Sequence, residues 1–287
     1  MSALPALFLS HGSPMIALEP GEAGLFMQRL GVAIRAQWGA PRAIVIVSPH
    51  TATPTPFVLG GAHHDTVHDF GGFPPALYEV VYDAAGEPDL AREVARRLQQ
   101  AQVAATWTPH SGLDHGIWTT LMHLFPAADA LNVPVVPLSL TPQASPEQML
   151  AMGRALRGLR EEGVLLIGSG SLTHNLRRFF QNPTPTDGPE EPDCAAFRTW
   201  VEERTRVGDW PALLAYRTQA PHAVAMHPTD EHWLPFYFAA GAGCESDATV
   251  DAATPTTALR LHASVTHGHL AMDAYGFGQA AAKLANT

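Results

Sequence analysis

Short apolar runs alternate with amphipathic stretches along this chain, and three of the runs lead to a histidine. The run and histidine pairs are Ala6–Leu9 with His11, Ala43–Val47 with His50, and Val164–Ile167 with His174. A run that is short and apolar at every position predicts a buried strand rather than a helix. We therefore predict three buried strands, each of which delivers an imidazole near its end.

Helical periodicity separates these strands. Phe26, Leu30, Ile34 and Trp38 recur at helical spacing and predict an amphipathic helix over 22–38. Further helices are predicted from Pro88 onward, over Ile117–Phe125, from Pro146 to about Glu162, and near 194–206 and 210–216. The helix that follows Ser145 has a serine cap, a proline in its first turn and Gln148 placed for a capping box.

Weaker apolar runs predict additional strands near Val103–Trp107, Val133–Leu140, Ala258–Val265 and Gly268–Met272. Pro134 and Pro137 interrupt the second of these runs, which favours an edge strand or a bulge. The regular alternation predicts one α/β domain over 1–287, with a central, largely parallel or mixed sheet flanked by helices on both faces. The proline-rich segment 181–193 is interpreted as a surface loop, with a lid as the alternative.

Composition narrows the function classes. The chain of 287 residues is 46% hydrophobic and carries a formal charge of −10 without basic runs, which argues against a nucleic-acid or anionic-membrane surface. The two cysteines lack C-x-x-C spacing, as expected in a reducing compartment. Neither a secretory signal nor a membrane-spanning run is evident, so a cytoplasmic protein is expected. The apolar C-terminal strands are compatible with a homo-oligomer.

The chemistry of the site is predicted from histidine placement, because fifteen histidines make any single one uninformative. Neutral imidazole suits zinc, iron, copper and nickel. His11 and His50 follow strands joined by one helix, so they can converge on one ion at the edge of the sheet. Glu231 and His232 would point in different directions from a helical turn, so only one of the two is expected to be the third ligand.

Two further histidines are candidates for acid–base chemistry. His174 follows a Gly-Ser-Gly-Ser segment, whose glycines allow the backbone to pass close to another group. His115 lies between Asp114 and Gly116, and Asp114 is a candidate to orient it. The sequence has no phosphate-binding loop, dinucleotide fingerprint or H-E-x-x-H motif, and G-x-S-x-G fails at its last position. These observations predict a metal site.

Six blocks of sequence, spread in order over nearly the whole chain, resemble the class III extradiol ring-cleavage dioxygenases. The blocks are Leu-Ser-His-Gly-Ser-Pro-Met (9–15), Val-Ser-Pro-His (47–50), His-Asp-Phe-Gly-Gly-Phe-Pro (68–74), Leu-Asp-His-Gly-Ile-Trp (113–118), Gly-Ser-Gly-Ser-Leu-Thr-His-Asn-Leu (168–176) and Pro-Thr-Asp-Glu-His-Trp-Leu-Pro (228–235). Within these enzymes the chain is similar to the LigB-like 4,5-DOPA extradiol dioxygenase group. The resemblance implies a LigB-like fold.

The resemblance also implies an activity and roles for particular residues. It implies a non-haem Fe(II) enzyme that opens a DOPA-like or other small catechol beside its hydroxyls and incorporates both atoms of O2. Zn(II) is a plausible ion in the purified protein. By resemblance, the metal ligands are His11, His50 and His232, the catalytic residues are His174 (also a candidate fourth ligand) and His115, and the substrate-binding residues are His115, Phe73 and Trp118, with Phe70 beside them.

Two other functions remain open at this point. A zinc-dependent hydrolase would also use a histidine-rich site, since zinc activates water. A non-enzymatic, Memo-like binding protein would share the fold without ring cleavage. The sequence does not identify the catechol, the oligomeric state, or iron rather than zinc.

Overall fold

Eight strands form one central mixed sheet in the computed structural model, which describes residues 3–126, 133–245 and 257–287. They are β1 (Ala6–Ser10), β2 (Ala43–Ala52), β3 (Phe57–Leu59), β6 (Thr106–Thr108), β7 (Val135–Leu140), β8 (Val164–Gly170), β9 (Ala258–His262) and β12 (Ala274–Phe277). Two small two-stranded sheets pair β4 (His63–His64) with β5 (Ala84–Ala85) and β10 (Val265–Thr266) with β11 (Leu270–Ala271).

The order across the central sheet is β6-β3-β7-β2-β8-β1-β12-β9. The four middle strands, β7, β2, β8 and β1, run parallel to one another. β3 pairs antiparallel with β7 on one side, and β12 pairs antiparallel with β1 on the other. The prediction of an α/β fold with a largely parallel or mixed sheet is confirmed.

Helices cover both faces of this sheet. They are α1 (Gly21–Trp38), α2 (Pro75–Tyr78), α3 (Pro88–Gln100), α4 (His115–Leu124), α5 (Pro146–Leu156), α6 (Leu176–Gln181), α7 (Pro192–Val207), α8 (Trp210–Leu214), α9 (Tyr216–Gln219), α10 (Ala223–Met226) and α11 (Leu234–Ala242). Short 3-10 helices span Pro14–Ala17, Arg157–Arg160 and Gln279–Leu284. The capping box predicted at Ser145 and Gln148 is present at the start of α5. No helix among the described residues combines the length and the apolar character needed to cross a membrane.

Two hydrophobic cores explain why the strands read as continuous apolar runs. In β1, Phe8 faces the core that α3, α5 and α11 share, whereas Leu7 and Leu9 face the core under α1 and α4. β2 and β8 divide their side chains between the two cores in the same way. Because both faces are buried, successive residues are all apolar and the alternation typical of a one-sided sheet disappears.

Two sequence predictions about the sheet are wrong in detail. β7 lies inside the sheet, so the edge alternative is wrong, whereas the irregular register between β2 and β7 fits the bulge alternative. β7 tolerates Pro137 because β3 pairs with it at one position, Val58 opposite Leu138, and because its register with β2 shifts beyond Ser48. The C-terminal run predicted as two strands forms β9, β10 and β11, and the strand beside β1 is β12, which the sequence analysis missed.

Candidate metal and acid–base centre

Three imidazoles from distant parts of the chain meet at one end of the parallel strands. The Nε2 atom of His50 lies 3.1 Å from Nε2 of His11 and 3.3 Å from Nε2 of His232. His11 and His232 are buried, whereas the side chain of His50 keeps 21% of its exposure. One nitrogen from each residue lies within 4.8 Å of the other two, so this group could hold a single metal ion.

His11 is held in one tautomer by its neighbours. It directly follows β1, and its Nδ1 lies 3.0 Å from the Ser169 hydroxyl oxygen. That hydroxyl donates its hydrogen to the carbonyl oxygen of Gly116 at 2.6 Å, so its oxygen accepts the hydrogen bond from Nδ1–H of His11. The Nε2 lone pair of His11 is therefore directed at the centre, an arrangement typical of metal-binding histidines.

His50 lies near the end of β2, where Asp114 fixes the backbone. Asp114 accepts hydrogen bonds from the hydroxyls of Ser48 at 2.7 Å and Thr51 at 2.5 Å, and it also caps the start of α4. A Cβ at Gly116 would lie 2.6 Å from the Ser48 hydroxyl, so only glycine permits this approach of α4 to β2. The prediction that Asp114 orients His115 is wrong, because its carboxylate is occupied by these contacts.

His232 reaches the centre because two glycines near the end of β8 have no side chain and let the segment that carries His232 approach the strand. The Ser171 N–H donates to the carbonyl oxygen of His232 at 2.9 Å, and a Cβ at Gly170 would lie 2.3 Å from that same oxygen. Gly168 allows an equally close approach of Pro235. The expectation that these glycines let another segment pass is met, although they belong to the strand and not to a turn.

The two residues considered for the third ligand occupy different positions. Nε2 of His232 faces His50, whereas Glu231 lies on the other side of this imidazole, with Oε1 3.7 Å from Nδ1 of His232. Glu231 also accepts a hydrogen bond from the Thr229 hydroxyl at 2.7 Å. The geometry favours His232 over Glu231 as a ligand.

His174 lies against the rim of the three-histidine group. Its ring stacks on that of His232, with ring centroids 3.5 Å apart and planes inclined by 8°. Its backbone N–H donates to the carbonyl oxygen of Met226, which ties the residue to the end of α10. His174 is therefore placed to act on a molecule bound at the centre.

His115 lies beside His50 and His11, at the first position of α4. Its ring centroid lies 3.8 Å from that of His50 and 5.5 Å from that of His11. Nδ1 of His115 lies 2.9 Å from Oδ2 of Asp69, and its backbone N–H donates to Oδ1 of the same carboxylate at 2.9 Å. The sequence analysis missed Asp69, although the residue belongs to the His-Asp-Phe-Gly-Gly-Phe-Pro block.

The electrostatics keep the imidazoles neutral. Burial lowers the pKa of His50 to about 3 and that of His174 to about 4, and it holds the pKa values of His11 and His232 well below their ordinary range. Burial raises the pKa of Asp69, but the hydrogen bonds from His115 outweigh it and leave the pKa below its usual value. At neutral pH the centre therefore presents neutral nitrogen lone pairs beside a carboxylate.

This donor set fits a transition-metal ion. Three neutral imidazole nitrogens converge, and the hydrogen bond from His11 to Ser169 leaves no hydrogen on Nε2 of His11 to offer its neighbours. A cation with nitrogen affinity would satisfy the converging lone pairs together. Imidazole ligands suit zinc, iron, copper and nickel better than magnesium or calcium.

Aromatic side chains surround the His115 side of the centre. The ring centroid of Phe70 lies 5.8 Å from His115, 5.3 Å from Phe73 and 6.4 Å from Trp118. Phe70 and Phe73 are partly exposed, whereas Trp118 is fully buried and donates its Nε1–H to the carbonyl oxygen of Val67. Trp118 thus lies behind Phe70.

His227 is a buried histidine near His232, and its lowered pKa predicts that folding is sensitive to pH. It is fully buried, its Nε2 lies 2.8 Å from the carbonyl oxygen of Leu172, and burial lowers its pKa to about 3. In the unfolded chain a histidine titrates near pH 6.5. As the pH falls from about 7.5 to about 5.5, the unfolded state binds a proton that the folded state refuses, so His227 alone costs about 1.4 kcal/mol of stability.

His227→Gln keeps a nitrogen donor for the Leu172 carbonyl and removes the titration. We expect the metal-free variant to lose about 1.4 kcal/mol less unfolding free energy than the wild type over that pH interval. Urea unfolding at the two pH values measures the difference. His110→Gln, at an exposed position, is the matched control with an unchanged pH dependence. An identical pH dependence in His227→Gln would contradict the prediction.

Comparison with known proteins agrees with this geometry. The family model described as the catalytic LigB subunit of aromatic ring-opening dioxygenase matches residues 5–266. The chain is 37% identical over 243 residues to a 4,5-DOPA dioxygenase extradiol from Beta vulgaris, covering 83% of this chain and 87% of the relative. It is 36% identical over 244 residues to a protein of the same name from Escherichia coli K12, covering 83% and 85%.

Longer coverage is found for a third relative and for a solved structure. A 4,5-DOPA dioxygenase extradiol from Portulaca grandiflora is 33% identical over 277 residues, which is 95% of both chains. The crystal structure of the uncharacterized protein JW3007 from Escherichia coli K12 superposes with a TM-score of 0.72 at 27% identity and covers 96% of this chain and all of that one. The family match spans both ends of the sheet and all five histidines of the centre, and the chain belongs to the LigB family of aromatic ring-opening dioxygenases.

Proposed function

We propose that this protein is a non-haem iron(II) extradiol dioxygenase that opens the ring of a small catechol beside its two hydroxyls. The observation that carries the proposal is the convergence of His11, His50 and His232 with two more histidines beside them, in a chain of the ring-opening dioxygenase family. Both atoms of O2 enter the single ring-opened product, so no second product or external reductant is needed.

His11, His50 and His232 would hold the ion through their Nε2 atoms. Iron(II) bound there would supply the redox chemistry that lets a closed-shell catechol react with triplet O2. Zinc would suit the same three imidazoles and is the ion we expect to compete in purified protein. Three protein ligands leave coordination positions for the diol and for dioxygen, as in other non-haem iron oxygenases with open positions.

His174 is proposed as the group that takes a proton from a substrate hydroxyl. Burial lowers its pKa to about 4, so without substrate the ring is neutral at physiological pH and has a nitrogen lone pair free of hydrogen. Its stacking on His232 holds the ring beside the centre without a further hydrogen bond to orient it. We also propose that His174 is a candidate fourth ligand when no substrate is bound.

The aromatic residues are proposed to form one wall of the substrate pocket. Phe70 and Phe73 are partly exposed, contact each other and continue from His115, so a flat ring bound at the centre can pack against them. Trp118, which has no exposed surface, would support Phe70 from behind instead of touching the substrate. His115 would contact a substrate oxygen.

The test is anaerobic reconstitution of metal-free protein with Fe(II), followed by addition of air-saturated buffer and a panel of catechols. We expect one O2 consumed for each catechol and a yellow ring-opened product. Zinc-loaded protein is the control and should consume no O2. Turnover by the zinc form without any oxygen demand would point to a hydrolase and would overturn the proposal.

A further inference from the structure

The carboxylate of Asp69 contacts His115 at two points. Oδ1 accepts the backbone N–H of His115, and Oδ2 lies 2.9 Å from its Nδ1. A backbone N–H can only donate, so the direction of the first hydrogen bond is fixed. A carboxylate that is ionised can only accept, so the second fixes a hydrogen on Nδ1 of His115.

In the neutral form of the imidazole, which carries one hydrogen, the other ring nitrogen, Nε2, is then the one without a hydrogen. Among the described residues, Nε2 of His115 makes no hydrogen bond. It is also absent from the fully buried polar atoms without a partner, so it keeps some exposed surface. Its ring lies beside those of His50 and His11. The Nε2 atom is therefore not fully enclosed, and it belongs to a ring that lies beside the three-histidine group.

This arrangement differs from that of His174. His115 has a carboxylate at hydrogen-bonding distance from its ring, as in catalytic histidines that a carboxylate holds in one tautomer. Within the part of the chain that the structure describes, the ring of His174 stacks on His232 and makes no hydrogen bond to a carboxylate. Asp114, the acidic neighbour of His115 in sequence, is engaged by Ser48 and Thr51.

We propose that Asp69 is a positioning residue that locks the tautomer of His115, so that Nε2 of His115 accepts a hydrogen bond from a substrate hydroxyl. This inference rests on the proposed function, because it assumes a diol at the centre. It assigns the two sides of the pocket different tasks. His174 meets the substrate as a ring held by stacking on His232 without a hydrogen bond that fixes its tautomer, whereas His115 meets it as a fixed acceptor that selects an O–H group.

Asp69→Asn tests whether Asp69 fixes the tautomer of His115. An asparagine side chain has one accepting oxygen and one donating NH2 group. If its oxygen keeps the backbone N–H of His115, its NH2 group faces Nδ1, which must then accept. The hydrogen of the imidazole moves to Nε2, so Nε2 of His115 offers a bound molecule a hydrogen-bond donor instead of an acceptor. Long-range ¹H–¹⁵N correlation spectra of the zinc-loaded protein distinguish the two tautomers without any turnover.

The second readout is catechol binding to zinc-loaded protein, measured by calorimetry. We expect Asp69→Asn to keep its zinc and to bind catechol about 10- to 100-fold more weakly, since one hydrogen bond to the ligand is replaced by an opposed donor. The control is Asp65→Asn on the same loop, where the side chain is 78% exposed. That variant should match the wild type in tautomer and affinity.

Several results would overturn the inference. One is a wild-type His115 with its hydrogen on Nε2. Another is an Asp69→Asn variant that is less stable yet keeps the original tautomer and catechol affinity, because Asp69 would then serve only to anchor its loop to α4. Absence of oxygen uptake by the iron-loaded wild type would refute the proposed function instead, while the tautomer measurement would still stand.

Discussion

We expect His50→Ala to lose both bound metal and ring cleavage, and His174→Ala to keep the metal and lose turnover. Nε2 of His50 lies 3.1 Å from that of His11 and 3.3 Å from that of His232, so removal of His50 leaves only two of the three converging nitrogens. His174 lies outside this group and stacks on it. A positioned proton acceptor contributes about 10²- to 10⁴-fold to a rate, which is the loss we expect for His174→Ala.

Metal content after reconstitution with Fe(II), and oxygen uptake with catechol, separate the two variants. His110→Ala removes an exposed histidine that lies outside the centre and is the matched control for unspecific metal binding. We expect it to equal the wild type in both measurements. Equal loss of metal in His50→Ala and His174→Ala would remove the distinction between ligand and proton acceptor.

Gly170→Ala weakens both the fold and the metal site. The added Cβ would lie 2.3 Å from the carbonyl oxygen of His232 and 3.1 Å from the ring of Phe8. The first contact is with backbone that hydrogen-bonds to Ser171, so it cannot be relieved by rotating a side chain. Overpacking of this kind costs about 1–3 kcal/mol. The segment carrying His232 must shift outward, and its Nε2 then leaves the other two imidazoles.

We expect the unfolding free energy of metal-free Gly170→Ala to fall by about 2–3 kcal/mol and its zinc affinity to fall about 10- to 100-fold. Urea unfolding and competition with a chelator measure the two quantities. Gly158→Ala is the control. The nearest atom to its added Cβ, apart from the adjacent residues, would be a guanidinium nitrogen of Arg97 at 3.6 Å, so the new methyl group has room. Unchanged zinc affinity in Gly170→Ala would show that the glycine does not position His232.

The fold class was predictable because its signals are local. A strand buried on both faces must be apolar at every position, and that is how β1, β2 and β8 are marked in the sequence. The capping box at Ser145 and Gln148 is a contact between residues three apart. The histidines after β1 and β8 could be recognised as candidate site residues, because the ends of parallel strands lie at one edge of the sheet.

Other parts of the architecture carry no local signal. The apolar pattern of the C-terminal residues is weak, and it did not predict β12 as a separate strand. β12 forms because the chain returns to β1 and pairs with it. Pro134 and Pro137 favour an edge strand or a bulge, whereas the pairing of β3 with only one position of β7 lets Pro137 lie inside the sheet. In both cases the partner strand decides, and it is distant in sequence.

The sequence by itself determined the α/β fold, the family, and the set of histidines from which a centre can be built. Only the tertiary structure decided that His232 and not Glu231 faces His50, and that Asp69 and not Asp114 holds His115. The physical reason is that periodicity and capping act within a few residues along the chain. The choice among neighbouring polar side chains depends instead on which distant backbone approaches them, here through Gly170 and the loop that carries Asp69.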